Sequence, residues 1–138
     1  MLMTSTETER QTVGLGKTVL VVDDSVEMSD AVGLSLGSLG FTVLSANDPF
    51  AGVRMAVEHA PDAIVMDLDM PGMDGLEVMR HLKRIEQTRD IPVIAFTGQP
   101  VGFPDRLRRR GFNRVVTKAD GLENLENEIE DVLQSCAA

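Results

Sequence analysis

At 138 residues, with 43% hydrophobic and 25% charged side chains, the chain has the size and composition of one globular domain and no room for a second. Its 22 acids against 13 bases give a net charge of -9, which argues against nucleic acid as a direct ligand. The single cysteine, Cys136, rules out a disulfide framework and fits a reducing cytoplasm; nothing resembles a signal peptide or approaches the ~18 apolar residues of a membrane span.

Residues 1–16 are rich in Thr, Ser and Glu with little periodicity and read as a flexible leader, with the folded domain over 17–138. Gly14-Leu15-Gly16-Lys17-Thr18 superficially resembles a phosphate-binding loop, but the motif's first Gly would fall at Gln11 and the Lys-Thr pair enters a strand where a helix is required. TVLVV at 18–22 is a β-branched strand that runs into Asp23-Asp24-Ser25. Met28, Val32, Leu36 and Leu39 then recur at helical spacing, with Gly40 where a C-cap belongs. A second strand over 41–46 leads into Asn47-Asp48-Pro49, an N-cap followed by Pro at the first helical position, and Phe50, Val53 and Val57 form the expected buried stripe of a helix ending at Pro61.

AIVM at 63–66 is a short apolar run bounded by Pro61-Asp62 and by Pro71-Gly72, the pattern of a strand buried on both faces, and it ends in Asp67. Leu76, Met79, Leu82 and Ile85 mark a third helix, and PVIAFT at 92–97 a fourth strand. Pro100 and Pro104 leave only 105–110 for a short, Arg-rich fourth helix. Residues 114–117 form a fifth strand followed by Lys118, and Leu122, Leu125, Ile129, Val132 and Leu133 share one side of a last helix. Five β-α alternations imply a doubly wound α/β domain, a parallel sheet between two helical layers with right-handed crossovers.

Asp23, Asp24, Asp67, Thr97 and Lys118 all fall at the C-terminal ends of predicted strands. In a parallel sheet those ends share one edge, where such folds bind ligands. Clustered carboxylates repel one another, and one takes up a proton unless a cation sits among them. Oxygen ligands without a nearby His or Cys favour Mg²⁺ or Mn²⁺. Lys118 offers a point charge and Thr97 a hydroxyl to the oxygens of a transferred group, so the set reads as a phosphoryl-transfer site with Asp67 as the nucleophile. Each residue alone could be loop decoration; five at matching strand ends are not.

VVDDS at 21–25, MDLDMPGMDG at 66–75, FTG at 96–98 and VTK at 116–118 together resemble the response-regulator receiver domain of two-component signalling, in the right order over about 17–134. The resemblance implies a flavodoxin-like sheet in the order 2-1-3-4-5. It implies that Asp67 accepts a phosphoryl group from a histidine kinase or a histidine phosphotransfer protein, that Asp24 ligates Mg²⁺ (or Mn²⁺) directly and Asp23 mainly through water, that Asp69 contributes its backbone carbonyl, and that Thr97 and Lys118 hold the phosphoryl oxygens. It further implies a signalling protein rather than a turnover enzyme, acting on a downstream target by protein contact. There are four departures from the family pattern: Ala119 replaces the Pro after the lysine, Val115 the aromatic switch residue, and Phe112 the Ala of a Gly-Ala pair, while Pro100, Gly102 and Pro104 interrupt the fourth helix. Without Pro at 119, a trans peptide is expected after Lys118. Because Val115 has too few rotamers and too little volume to swing, switching is expected in residues 98–110 through a change of order.

The rival readings are a haloacid-dehalogenase-like phosphatase, suggested by Asp67-Leu68-Asp69, and a receiver excised from a hybrid histidine kinase. The first places its motif on strand one with the paired acids downstream, whereas Asp23-Asp24 lie upstream here. A stand-alone receiver or phosphorelay shuttle fits best. Arg106, Arg108, Arg109, Arg110 and Arg114, like the acids Glu123, Glu126, Glu128, Glu130 and Asp131, read as solvated faces. His59 and His81 read as surface residues, and the eight Met as scattered core filling.

Overall fold

The computed structural model describes residues 13–70, 75–98 and 104–136, with the side chains of 104, 105 and 136 left aside. Most of the leader, Pro71 and Gly72, and Pro100 and Gly102 therefore lie outside the described residues. Five strands, β1 (Thr18–Val22), β2 (Thr42–Ala46), β3 (Ala63–Met66), β4 (Val93–Thr97) and β5 (Arg114–Thr117), alternate with five helices, α1 (Val26–Gly37), α2 (Pro49–His59), α3 (Gly75–Arg84), α4 (Pro104–Arg109) and α5 (Gly121–Cys136), with a 3₁₀ turn at Lys118–Asp120. The sheet is parallel throughout in the order β2-β1-β3-β4-β5, as expected.

Successive side chains of a strand point to opposite faces, and here each face has its own core. Val19, Val21, Val65, Ile94, Phe96 and Val116 pack under α1 and α5. Leu20, Val22, Ile64, Met66, Val93 and Ala95 pack under α2 and α3, with Phe112. The central strands β1, β3 and β4 are almost wholly buried while β2 is half exposed, the difference between an interior strand and an edge. At about 1.5–3 kcal/mol per large apolar side chain buried, these two layers hold the strand ends in a fixed row.

Capping sets where the helices begin. Ser25 Oγ accepts from Met28 N at 3.2 Å, and Asp48 accepts from Ala51 N at 2.8 Å with Pro49 at the first helical position. α1 runs to Gly37, and Gly40 closes it as the sequence predicts: at φ 95° its N–H donates to Gly37 O at 3.0 Å while Phe41 N donates to Leu36 O at 3.2 Å, the paired bonds of a left-handed helix stop. One sequence expectation fails here. α2 buries Pro49, Gly52 and Ala56, not the stripe Phe50, Val53 and Val57; Phe50 is 65% exposed and the two valines are half-buried. The reason is spacing: a Cβ at Gly52 would stand 2.8 Å from Val22 Cγ1, so only a small-residue face lets α2 lie this close to β1. α2 closes at Ala60, a left-handed residue at φ 44° and ψ 60°.

The fourth helix is six residues, short as anticipated. No peptide bond is cis among the described residues, which agrees with the expected trans link from Lys118 to the exposed Ala119. Residues 13–16, counted with the leader from sequence, form a turn: Gly14 N donates to Leu39 O at 2.8 Å and Val13 packs on the α1/α5 core. No helix among the described residues is long and apolar enough to cross a membrane.

Candidate functional site

β1 and β3 are neighbours in register from Val19–Ala63 to Val22–Met66, so the residues that follow each strand, Asp23 and Asp67, emerge side by side. Their backbones are locked. Asp67 N donates to Val22 O at 2.9 Å and Asp23 N to Ala46 O at 3.1 Å, which carries the ladder one residue beyond each strand. Both carboxylates are buried while Asp24 is exposed, and one oxygen from each of the three lies within 4.8 Å of the others.

Lys118 crosses to them from the far side of the sheet, after β5. Its Nζ lies 3.1 Å from Asp23 Oδ2 and 3.7 Å from Asp67 Oδ1, and its stem passes the Phe96 ring, with Nζ 5.8 Å from the ring centre. One lysine thus faces two buried acids. Asp67 carries the imbalance: burial above all, and also the neighbouring Asp23, push its carboxyl up while the Asp69 backbone N–H and the Lys118 charge pull it down, which leaves it raised from the ordinary 3.8 to about 6. Asp69 N donates to Asp67 Oδ1 at 3.1 Å.

Thr97 is buried at the end of β4, but its Oγ1 donates to Asp69 Oδ2 at 3.2 Å. Thr97 therefore reaches the site through the exposed Asp69 side chain. Gly75 begins α3 beneath the loop, where a Cβ would meet Leu68 Cδ2 at 2.6 Å and Asp67 O at 3.1 Å; a side chain here would push the Asp67 loop away.

All six residues singled out from sequence, Asp23, Asp24, Asp67, Asp69, Thr97 and Lys118, are at this edge. Two contributors were missed. Asn47 Nδ2 donates to Asp23 O at 3.0 Å and sits 3.4 Å from Ser29 Oγ, whose hydroxyl in turn faces Asp23 O at 3.5 Å. Asn47 follows β2 at the same edge, so the strand-end rule that found the acids could have found it. Ser25 N donates to Asp23 Oδ1 at 2.9 Å, so the residue that caps α1 also steadies the first acid.

A family model described as the response regulator receiver domain matches residues 19–130. The chain belongs to that family. Among curated relatives, the receiver is 32% identical to the phosphate regulon transcriptional regulatory protein PhoB of Escherichia coli over 87% of this chain and 53% of that one. It is 32% identical to the polar-differentiation response regulator DivK of Brucella ovis, over 74% of this chain and 84% of that one, and 40% identical to the DNA-binding dual master transcriptional regulator RpaA of Synechocystis, over 57% and 33%. It thus spans a third to a half of the length of the transcriptional regulators. Among solved structures, a response regulator from Desulfuromonas acetoxidans matches with a TM-score of 0.77 at 28% identity, covering 86% of this chain and 97% of that one. The chemotaxis protein CheY4 of Vibrio cholerae gives 0.78 at 25%, covering 84% and 98%.

Among the described residues, the departures from the family pattern at Phe112, Val115 and Ala119 lie in or beside β5. Phe112 is fully buried in the α2/α3 core, and Val115 and Leu107 are each half-buried against the same cluster. Arg114 is not part of a solvated basic face: its guanidinium pairs with Glu128 at 3.2 Å and Asp131 at 2.8 Å on α5. Glu126 on the same helix accepts a hydrogen bond from Ser35 of α1. Three acids expected to be merely solvated thus fasten α5 to both neighbours. His59 and His81 are exposed, as read from sequence.

Proposed function

We propose that this receiver is phosphorylated on Asp67 by a phosphohistidine donor, a histidine kinase or a histidine phosphotransfer protein, and signals by protein contact rather than by catalytic turnover. The observation that carries the reading is the buried Asp67 carboxylate, held between a second buried acid and the Lys118 ammonium at one sheet edge. With its carboxyl pushed to about 6, Asp67 is mostly ionised at neutral pH and can attack phosphorus. The new bond is from a carboxylate oxygen to phosphorus; the bond from phosphorus to the donor's imidazole nitrogen breaks, and that nitrogen keeps the electron pair.

The donor set fits a hard divalent cation: oxygen ligands from Asp23, Asp24 and Asp67, with the Asp69 carbonyl as the fourth expected ligand, and no sulfur or imidazole among them. Mg²⁺ or Mn²⁺ bound there would neutralise the acids and the incoming phosphoryl charge. Phosphorylation replaces one carboxylate charge by about two, so Lys118 can leave Asp23 to face the phosphoryl oxygens. Thr97 can serve those oxygens only by releasing Asp69, which makes that hydrogen bond a resting-state contact. The net charge of -9 favours protein partners over nucleic acid.

Acetyl phosphate with Mg²⁺ tests this. One phosphoryl group should add to the intact protein, mapped by mass spectrometry to Asp67 and abolished by EDTA. Continuous release of phosphate without a labelled protein would identify a phosphatase instead.

A further inference from the structure

Although the protein is strongly acidic overall, five cations converge on one concavity that shares no lining residue with the Asp67 site. A cleft of about 360 Å³ lies between the six-residue α4 and α3, lined by Arg80, Lys83, Arg84, Arg109, Arg110 and Leu76. No acid lines it. Arg80, Lys83 and Arg84 belong to the exposed side of α3, whereas Arg109 and Arg110 come from the end of α4. The two groups are brought together by Gly111, whose φ of 107° turns the chain and whose missing Cβ would stand 3.0 Å from Lys83 Cε. Lys83 Nζ donates to Arg89 O at 3.0 Å, which leaves two of its three donors.

We propose that the α3/α4 cleft is a binding site for a small anion carrying two or more phosphate groups. Four guanidinium forks offer paired donors that match phosphate oxygens two at a time, and five positive charges exceed what a single phosphate can balance. The volume suits a diphosphate-sized ligand and lies at the low end for small-molecule sites. An acidic protein segment is the other chemistry such a surface could take. Among the described residues Leu76 is the only apolar side chain lining the cleft, however, and protein interfaces are anchored by buried aromatic and aliphatic groups, which the described lining does not offer. Like charges crowded on and between two helices also repel, so an anion should stabilise the fold as it binds.

Isothermal titration of the full chain with inorganic pyrophosphate, at physiological ionic strength and with EDTA to keep the Asp67 edge out of play, tests the assignment. Saturable binding of one pyrophosphate per chain with a raised Tm is expected, weakened roughly tenfold or more in Arg84→Ala and in Arg109→Ala, and unchanged in Asp67→Asn. Arg109→Lys should recover only part of the affinity, because it keeps the charge and loses the fork. Non-saturating binding, or equal binding by the arginine variants, would mean an adventitious ion only and overturn the proposal. So would a glutamate-rich peptide that binds more tightly than pyrophosphate, which would make the cleft a protein-docking surface. Circular dichroism of the variants excludes misfolding, and since the assay involves no phosphorylation, its failure and that of the Asp67 assignment are separate results.

Discussion

The β1-β3 side and the β4-β5 side of this receiver are built on different principles. On the first, two buried acids stand next to each other against electrostatic cost, held by backbone hydrogen bonds that extend the ladder and by one lysine between them. On the second, no charged side chain is buried among the described residues, and Arg114 is only half-buried; position is set by volume, with Phe112 filling the core where a small residue is the family pattern and Val115 standing where an aromatic is. Chemistry and packing are therefore separable, and a substitution on one side should leave the other side's property in place.

The largest effect expected is complete. Asp67→Asn should abolish labelling by acetyl phosphate while the far-UV circular dichroism is unchanged; label appearing on Asp23 or Asp24 of the variant would break the assignment. Phe112→Ala should do the reverse, lowering stability by ~3–5 kcal/mol in urea unfolding while labelling of the folded fraction persists. If that variant lost less than about 1 kcal/mol, the core would be able to close over the gap, and packing would not define this side.

Asp67 also links the comparison to pH. Its carboxyl binds a proton more readily folded, at about 6, than unfolded, at the ordinary 3.8. Stability is therefore lost as pH rises through that window, and the full cost, up to about 3 kcal/mol, is present above it. In metal-free buffer Asp67→Asn should be the more stable protein above pH 6, and the advantage should vanish below about pH 3.8. Added Mg²⁺ should stabilise the wild type and not the variant. Equal stability of the two proteins at pH 8 without metal would show that Lys118 already cancels the cost. A smaller effect is expected from Gly52→Ala, whose Cβ would press on Val22 at the root of Asp23. Overpacking of this kind costs ~1–3 kcal/mol, measurable by thermal unfolding, and an accompanying fall in labelling rate would show that the Asp23 backbone position is transmitted through β1.

The sequence made the strands and the acid edge legible because each buried strand is an apolar run that stops at a polar residue, and in a parallel sheet all such stops coincide. The face of α2 was not legible. Hydrophobic periodicity points to the largest side chains, whereas a helix lying close on a sheet buries its smallest, Pro49, Gly52 and Ala56. The arginines were misgrouped for a related reason: neighbours in sequence part company when a strand intervenes. Arg114 leaves for α5, and two of the other four, Arg109 and Arg110, join Arg80, Lys83 and Arg84, which no local spacing connects to them. The Thr97–Asp69 hydrogen bond was invisible too, since it depends on how one side chain turns within the site. The expected change of order in 98–110 rests largely on residues outside those described.

Ala60 remains as an unspent margin of safety. A left-handed alanine costs roughly 1–2 kcal/mol relative to helical backbone, and here it closes α2 at φ 44°, at the opposite end of that helix from the acid edge. Glycine at this position would remove the steric cost and add unfolded-chain entropy, a net gain of about 0.5–1 kcal/mol in chemical denaturation. The domain can thus be made more tolerant of mutation by one change that touches neither its chemistry nor its cores. Ala60→Gly is the natural background in which to examine variants such as Gly52→Ala that would otherwise bring the fold close to its threshold.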